Sequence, residues 1–152
     1  FGEAMFLQDV FVGKKFVSQK YLISLNEILA FAKMYDPQPF HLDEELASQH
    51  EIFQGLAASG WHTAAIVMRL WTECMPIAKG LIGTDSHIHW PCPTRAGDSI
   101  HVEVEITNIR PSKSRPDRAI VTYHTKALNQ DNKVVFFSDT NIVMFKNPTL
   151  SE

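Results

Sequence analysis

The sequence is poor in several features, and each shortage removes a class of protein. Only two cysteines, Cys74 and Cys92, occur in 152 residues. They have neither zinc-type spacing nor a CxxC arrangement, so they are expected to be incidental core thiols in a reducing compartment. No stretch approaches the roughly 18 consecutive apolar residues of a membrane span, and no basic-then-apolar leader opens the chain. A cytoplasmic location is the expectation. Basic residues are also few: 14 Lys and Arg stand against 17 Asp and Glu, a formal charge of -3. That balance argues against broad nucleic-acid binding, which calls for a marked basic excess. With no internal repeat, low-complexity stretch or linker-like segment, residues 1–152 read as a single domain.

The chain does carry enough apolar material for a core. Hydrophobic residues make up 45% and charged ones 20%, which at this length builds a core without disulfide staples. A short strand is expected near Lys20–Ile23, followed by a helix opened by a Ser24-x-x-Glu27 capping box. Leu25, Ile28, Leu29 and Ala32 recur on one face of that helix. It has to stop at Tyr35 or Asp36, because Pro37 disfavours a helical residue before it. Pro39 is expected to keep the chain extended through Phe40, and Asp43 to cap a short helix over residues 44–48. After the small, flexible stretch Gly55–Gly60, residues 61–75 are apolar around most of their circumference. This predicts a helix buried on nearly all sides.

The second half supplies what wraps it. Ile100, Val102, Val104 and Ile106 alternate with His101, Glu103, Glu105 and Thr107, the period of a half-buried strand. Further strands are expected over 85–90, 119–128 and 134–145, with a polar turn at Gln130–Asn132. The fold class is therefore α+β, an antiparallel sheet curled around one central helix.

The chemistry is concentrated in Tyr35-Asp36-Pro37-Gln38-Pro39-Phe40-His41-Leu42-Asp43. Two proton-moving groups, Asp36 and His41, lie five positions apart with prolines stiffening the chain between them. Addition of water to an activated double bond needs a base for the water and a proton source for the neighbouring carbon. Asp36 also sits at a helix C-terminus, the wrong end of the dipole for a carboxylate, and such local misfits gather at functional sites. Spacing alone fits equally an Asx-type turn at Asp36 with a surface histidine.

Asp-Pro-Gln-Pro-Phe-His resembles the Asp-x-Asn-Pro-x-His signature of the MaoC-like (R)-specific enoyl-CoA hydratases. The resemblance continues through Gly55-Leu-Ala-Ala-Ser-Gly-Trp, Trp90-Pro91, Arg95-Ala96-Gly97-Asp98 and the final strands. It implies a hotdog fold, a homodimer or higher homo-oligomer, and an active site where subunits meet. It also implies that Asp36 and His41 activate a water that adds to C3 of a trans-2-enoyl-CoA. Gly60 is implied as the backbone N–H donor to the thioester oxygen, with Trp61 and Gln38 beside the substrate; a tight turn before the helix is the plain alternative for Gly60. No cofactor is implied beyond coenzyme A as part of the substrate. The sequence departs from the pattern at Gln38 for asparagine, Tyr35 for glycine, and Ala65 where a serine often supports the aspartate; Thr63 or His62 are the candidate replacements.

Other groups carry less. His87 and His89 share one strand face but lack a third metal ligand, so no metal is expected. Arg110, Lys113 and Arg115, between two strands, fit either coenzyme A phosphates or a solvated basic hairpin. A hotdog acyl-CoA thioesterase and a non-catalytic acyl-CoA-binding homologue, like nodulation protein N, are the alternative functions.

Overall fold

The computed structural model describes residues 3–149; residues 1, 2 and 150–152 of the expected domain lie outside them. Its second half is set by two-residue alternation. β4 (Ser99–Pro111), β5 (Arg118–Leu128) and β6 (Val134–Phe145) form a long antiparallel meander. The alternating apolar positions of β4 are all buried, and Val121, Tyr123 and Thr125 of β5 join them on the same face. Asn129 holds the turn into β6 by accepting from the N–H groups of Asp131 and Lys133, while Asn132 takes the left-handed conformation.

The remaining strands extend this meander. β1 (Lys15–Val17), not foreseen from the sequence, pairs with β4 on one side, and β2 (Tyr21–Leu22) pairs with another part of β4. β3 (Ile82–His89) pairs with β6 and closes the order β1-β4-β5-β6-β3 as an edge. All these pairings are antiparallel, and register shifts in β3, β4 and β5 bend the sheet.

The first half supplies the helices. α1 (Leu25–Tyr35) begins at the expected capping box: Ser24 accepts from the Glu27 N–H and Glu27 returns the bond. α3 (Glu44–Ser48) starts at Asp43, whose carboxylate accepts from two backbone N–H groups. One expectation fails between them. Pro39 does not keep the chain extended but opens the single helical turn α2 (Pro39–Leu42). Proline suits the first helical position because its fixed φ is helical and its missing N–H would be unpaired there anyway.

α4 (Gly60–Cys74) lies in the curl of the sheet, with Ile66, Val67, Leu70 and Trp71 in one core cluster with Val102, Ile106, Tyr123 and Phe136. This is the hotdog arrangement. The helix is not buried on nearly all sides, however. Trp61, Ala65, Met68, Arg69 and Thr72 form an exposed stripe on its outer face. The high apolar content of α4 hides this stripe, because Trp61, Ala65 and Met68 within it are themselves apolar. Among the described residues no helix is long and apolar enough to cross a membrane.

Candidate active site

The turn of helix at Pro39 brings the two candidate groups together. Five extended residues would carry His41 about 17 Å from Asp36; instead α2 folds the chain back, and His41 Nε2 lies 3.3 Å from Asp36 Oδ2. His41 is buried, which removes the surface-histidine reading. Its Nδ1 meets the carbonyl oxygen of Ala57 at 2.7 Å. A carbonyl only accepts, so Nδ1 carries the proton. Nε2, on the opposite side of the ring, faces the carboxylate. Phe40 and Phe53 stack at 4.4 Å and both meet the imidazole edge-on, walling it on its other sides.

Asp36 terminates α1, where its own N–H still bonds Ala32. Burial acts to raise its carboxyl, but donation from the Ser59 hydroxyl and the Gln38 amide, with His41 alongside, outweighs it. The carboxyl is held below its usual range and is ionised at neutral pH. The Gln38 contact is 2.5 Å, so the longer amide acts on the aspartate itself. Ser59 is fully buried and also caps α4, accepting from the Trp61 N–H at 3.3 Å.

These groups open onto a cleft of about 420 Å³, lined by Asp36, His41, Phe53, Gly60, Trp61 and Thr63 on one side and by the Trp90–Thr94 segment on the other. Thr63 donates to Thr94 at its floor, 3.0 Å away. Gly60 is the first residue of α4, so its N–H is one that the helix cannot pair internally. The positive end of the helix dipole lies there too, and both favour a developing anion.

Not every expected residue arrives here. Ala65 sits on the exposed stripe and does not line the cleft; Ser59 supplies the hydroxyl support instead, one residue before Gly60. Thr63 reaches the floor, but His62 turns away, stacking on Phe31 at 4.7 Å with Nε2 3.9 Å from Glu27. Arg110, Lys113 and Arg115 are exposed and distant. Arg110 lies within β4, not in the loop, and that hairpin packs by Arg118 on Phe145. Phe145 in turn meets Lys79, beyond the far end of α4, so about 22 Å of helix separates them from the cleft. His87 and His89 stack at 4.8 Å, and among the described residues no three metal-ligating side chains gather.

Cys92, expected as an incidental core thiol, instead lines the cleft wall, and sequence reasoning left out Thr94 and the part played by Ser59. A serine directly before a helical glycine is a readable N-cap; its second contact with Asp36 is a long-range one that no local signal carries. Cys74 is inert by comparison, since burial pushes its thiol up to about 11.

A carboxylate and an imidazole thus converge at the mouth of the helix that the sheet wraps. The MaoC like domain model matches residues 9–128, and the chain belongs to that family. It is similar to a MaoC-like dehydratase from Rhodospirillum rubrum, 52% identical with a TM-score of 0.92 over 95% of this chain and 99% of that one. It is 29% identical to the uncharacterized protein YdeM of Bacillus subtilis (strain 168), over 92% of this chain and 99% of the relative. A 3-hydroxybutyryl-CoA dehydratase of Methylorubrum extorquens is 27% identical over 73% of this chain and 69% of its own.

Proposed function

We infer that the protein hydrates a trans-2-enoyl-CoA to the (R)-3-hydroxyacyl-CoA, or runs the reverse dehydration. The observation that carries this reading is the convergence of a carboxylate and an imidazole, Asp36 Oδ2 and His41 Nε2, 3.3 Å apart on the wall of the cleft. A water bound in the cleft beside both groups donates a proton to the carboxylate. That leaves the water's lone pairs facing the cleft, where C3 of a flat enoyl group would lie. As the water oxygen bonds to C3, one of its protons passes to the pair and the double-bond electrons move onto the thioester oxygen. The Gly60 N–H stabilises that charge. Return of the proton to C2 completes the addition, with all atoms of water in the product.

The relatives named as dehydratases support the same chemistry. Ser59 and Gln38 both sustain the ionised aspartate, which supports catalysis despite the departures at Ala65 and Gln38. A second copy of the chain completes the reading. Tyr35, Ile52, Trp61 and Trp90 are exposed and apolar around the cleft, and β3 ends the sheet as an edge.

The test follows loss of enoyl-thioester absorbance with a short-chain and a medium-chain trans-2-enoyl-CoA. Asp36→Asn is expected to lower turnover by about 10²- to 10⁴-fold, the usual worth of a general base, with an unchanged melting curve. Full activity in that variant would sink the assignment, and release of free thiol would move it to a thioesterase.

A further inference from the structure

Hydration chemistry has no evident need of an indole, yet Trp90 is fitted to Gly60 more closely than packing requires. Its Nε1–H donates to the Gly60 carbonyl oxygen at 2.9 Å. Its ring also fills the space where a side chain would begin: a Cβ at Gly60 would meet Trp90 Cε2 at 2.9 Å and Nε1 at 3.1 Å. Gly60 is not in the left-handed conformation. Glycine is therefore required at this position by the indole and not by a turn of the backbone, which removes the tight-turn explanation.

The indole is itself held from three directions. It follows the last residue of β3, and Pro91 after it restricts its backbone to extended conformations. Trp61 packs on it edge to face, with ring centroids 5.2 Å apart. The Trp61 N–H is in turn taken up by Ser59.

We propose that Trp90 is a positioning residue that clamps Gly60 and so aims its free N–H into the cleft. A donor at a helix N-terminus lies where the chain frays most readily, and a donor helps catalysis only if it is already oriented when charge develops. The clamp fixes Gly60 at two points, its Cα and its carbonyl. It links the β3 edge to the first turn of α4. The catalytic part of this inference rests on the hydratase reading; the clamp itself does not.

The experiment compares wild type with Trp90→Phe, which keeps an aromatic ring and removes the donor. With a trans-2-enoyl-CoA, kcat is expected to fall about tenfold, the worth of one neutral hydrogen bond, while KM stays within about twofold. In ¹H–¹⁵N relaxation measurements on both proteins, the Gly60 amide order parameter is expected to drop from the rigid level of about 0.85. Gly60→Ala approaches the contact from the other side: its Cβ displaces the indole, and the Trp90 Nε1–H resonance shifts toward that of a solvent-exposed indole. An unchanged Gly60 order parameter in Trp90→Phe overturns the proposal, as does a mobile Gly60 with an unaltered kcat. Should the wild type hydrate no enoyl-CoA, the function falls, and the order-parameter comparison alone decides the clamp.

Discussion

At the scale of single residues, the site depends on how one carboxylate stays ionised while partly removed from water. Burial opposes ionisation of Asp36, and the donors Ser59 and Gln38 with neighbouring His41 reverse it. Deleting a donor undoes part of that reversal. In Ser59→Ala the carboxyl rises, so a larger fraction is protonated at any given acidic pH and unable to act as a base. The acid limb of the kcat/KM profile is therefore expected to move to higher pH, with the plateau near neutrality less affected. A limb that stays in place would show that Ser59 serves only as the α4 cap, whose loss costs about 1 kcal/mol of stability. The pair Asp36 and His41 was singled out by the family resemblance, since the spacing and the prolines between them fitted a turn and a surface histidine equally well. Ser59 was not, because the contact that matters joins residues on two different helices.

At the scale of elements, the loop between α3 and α4 carries the Ala57 carbonyl that orients His41, and it has little regular structure of its own. Arg95 organises it. Its guanidinium donates to the carbonyls of Gly55, at 2.7 Å, and Leu56, at 3.1 Å, and also to that of Phe53. A planar fork suits three carbonyls within four residues, and a lysine presents a single point charge to them. Arg95→Lys is expected to lose about 1.5–3 kcal/mol in urea denaturation, the range for hydrogen bonds to a charged group, with a matching fall in kcat as His41 loosens. Unchanged stability would mean the loop is held by its backbone hydrogen bonds to Phe40, Ala47 and Thr94 and by the Phe40–Phe53 stack. The regular elements were the readable part: the capping box of α1, the Asp43 cap of α3 and the alternation of β4 all follow from local pattern. α2 was misjudged because Pro39 was read as a breaker when its position made it a starter. The exposed stripe of α4 was hidden for a different reason, since apolar residues facing outward look in sequence like apolar residues facing a core.

At the scale of the whole molecule, that stripe, the apolar rim of the cleft and the β3 edge lie on surfaces that a lone chain leaves to water. The sheet edge has unpaired backbone groups along eight residues, Ile82–His89, nearly all of them exposed. Pairing with a second copy about a two-fold axis satisfies such an edge and covers the rim. Sedimentation at tens of micromolar is expected to give a mass at least twice 17.2 kDa; a monomer at all concentrations would require the cleft to work half open. The shape of the cleft was not legible in the sequence, because it is assembled from four separate stretches of the chain.

The 3.3 Å between Asp36 and His41 also fixes a stereochemical outcome. Both groups stand on one wall, so a water shared between them sees only one face of a planar double bond. On the hydratase reading, its oxygen goes to C3, and the proton returned to C2 departs from the same wall. The hydroxyl and the new hydrogen arrive syn, and the reverse elimination strips both from a single face.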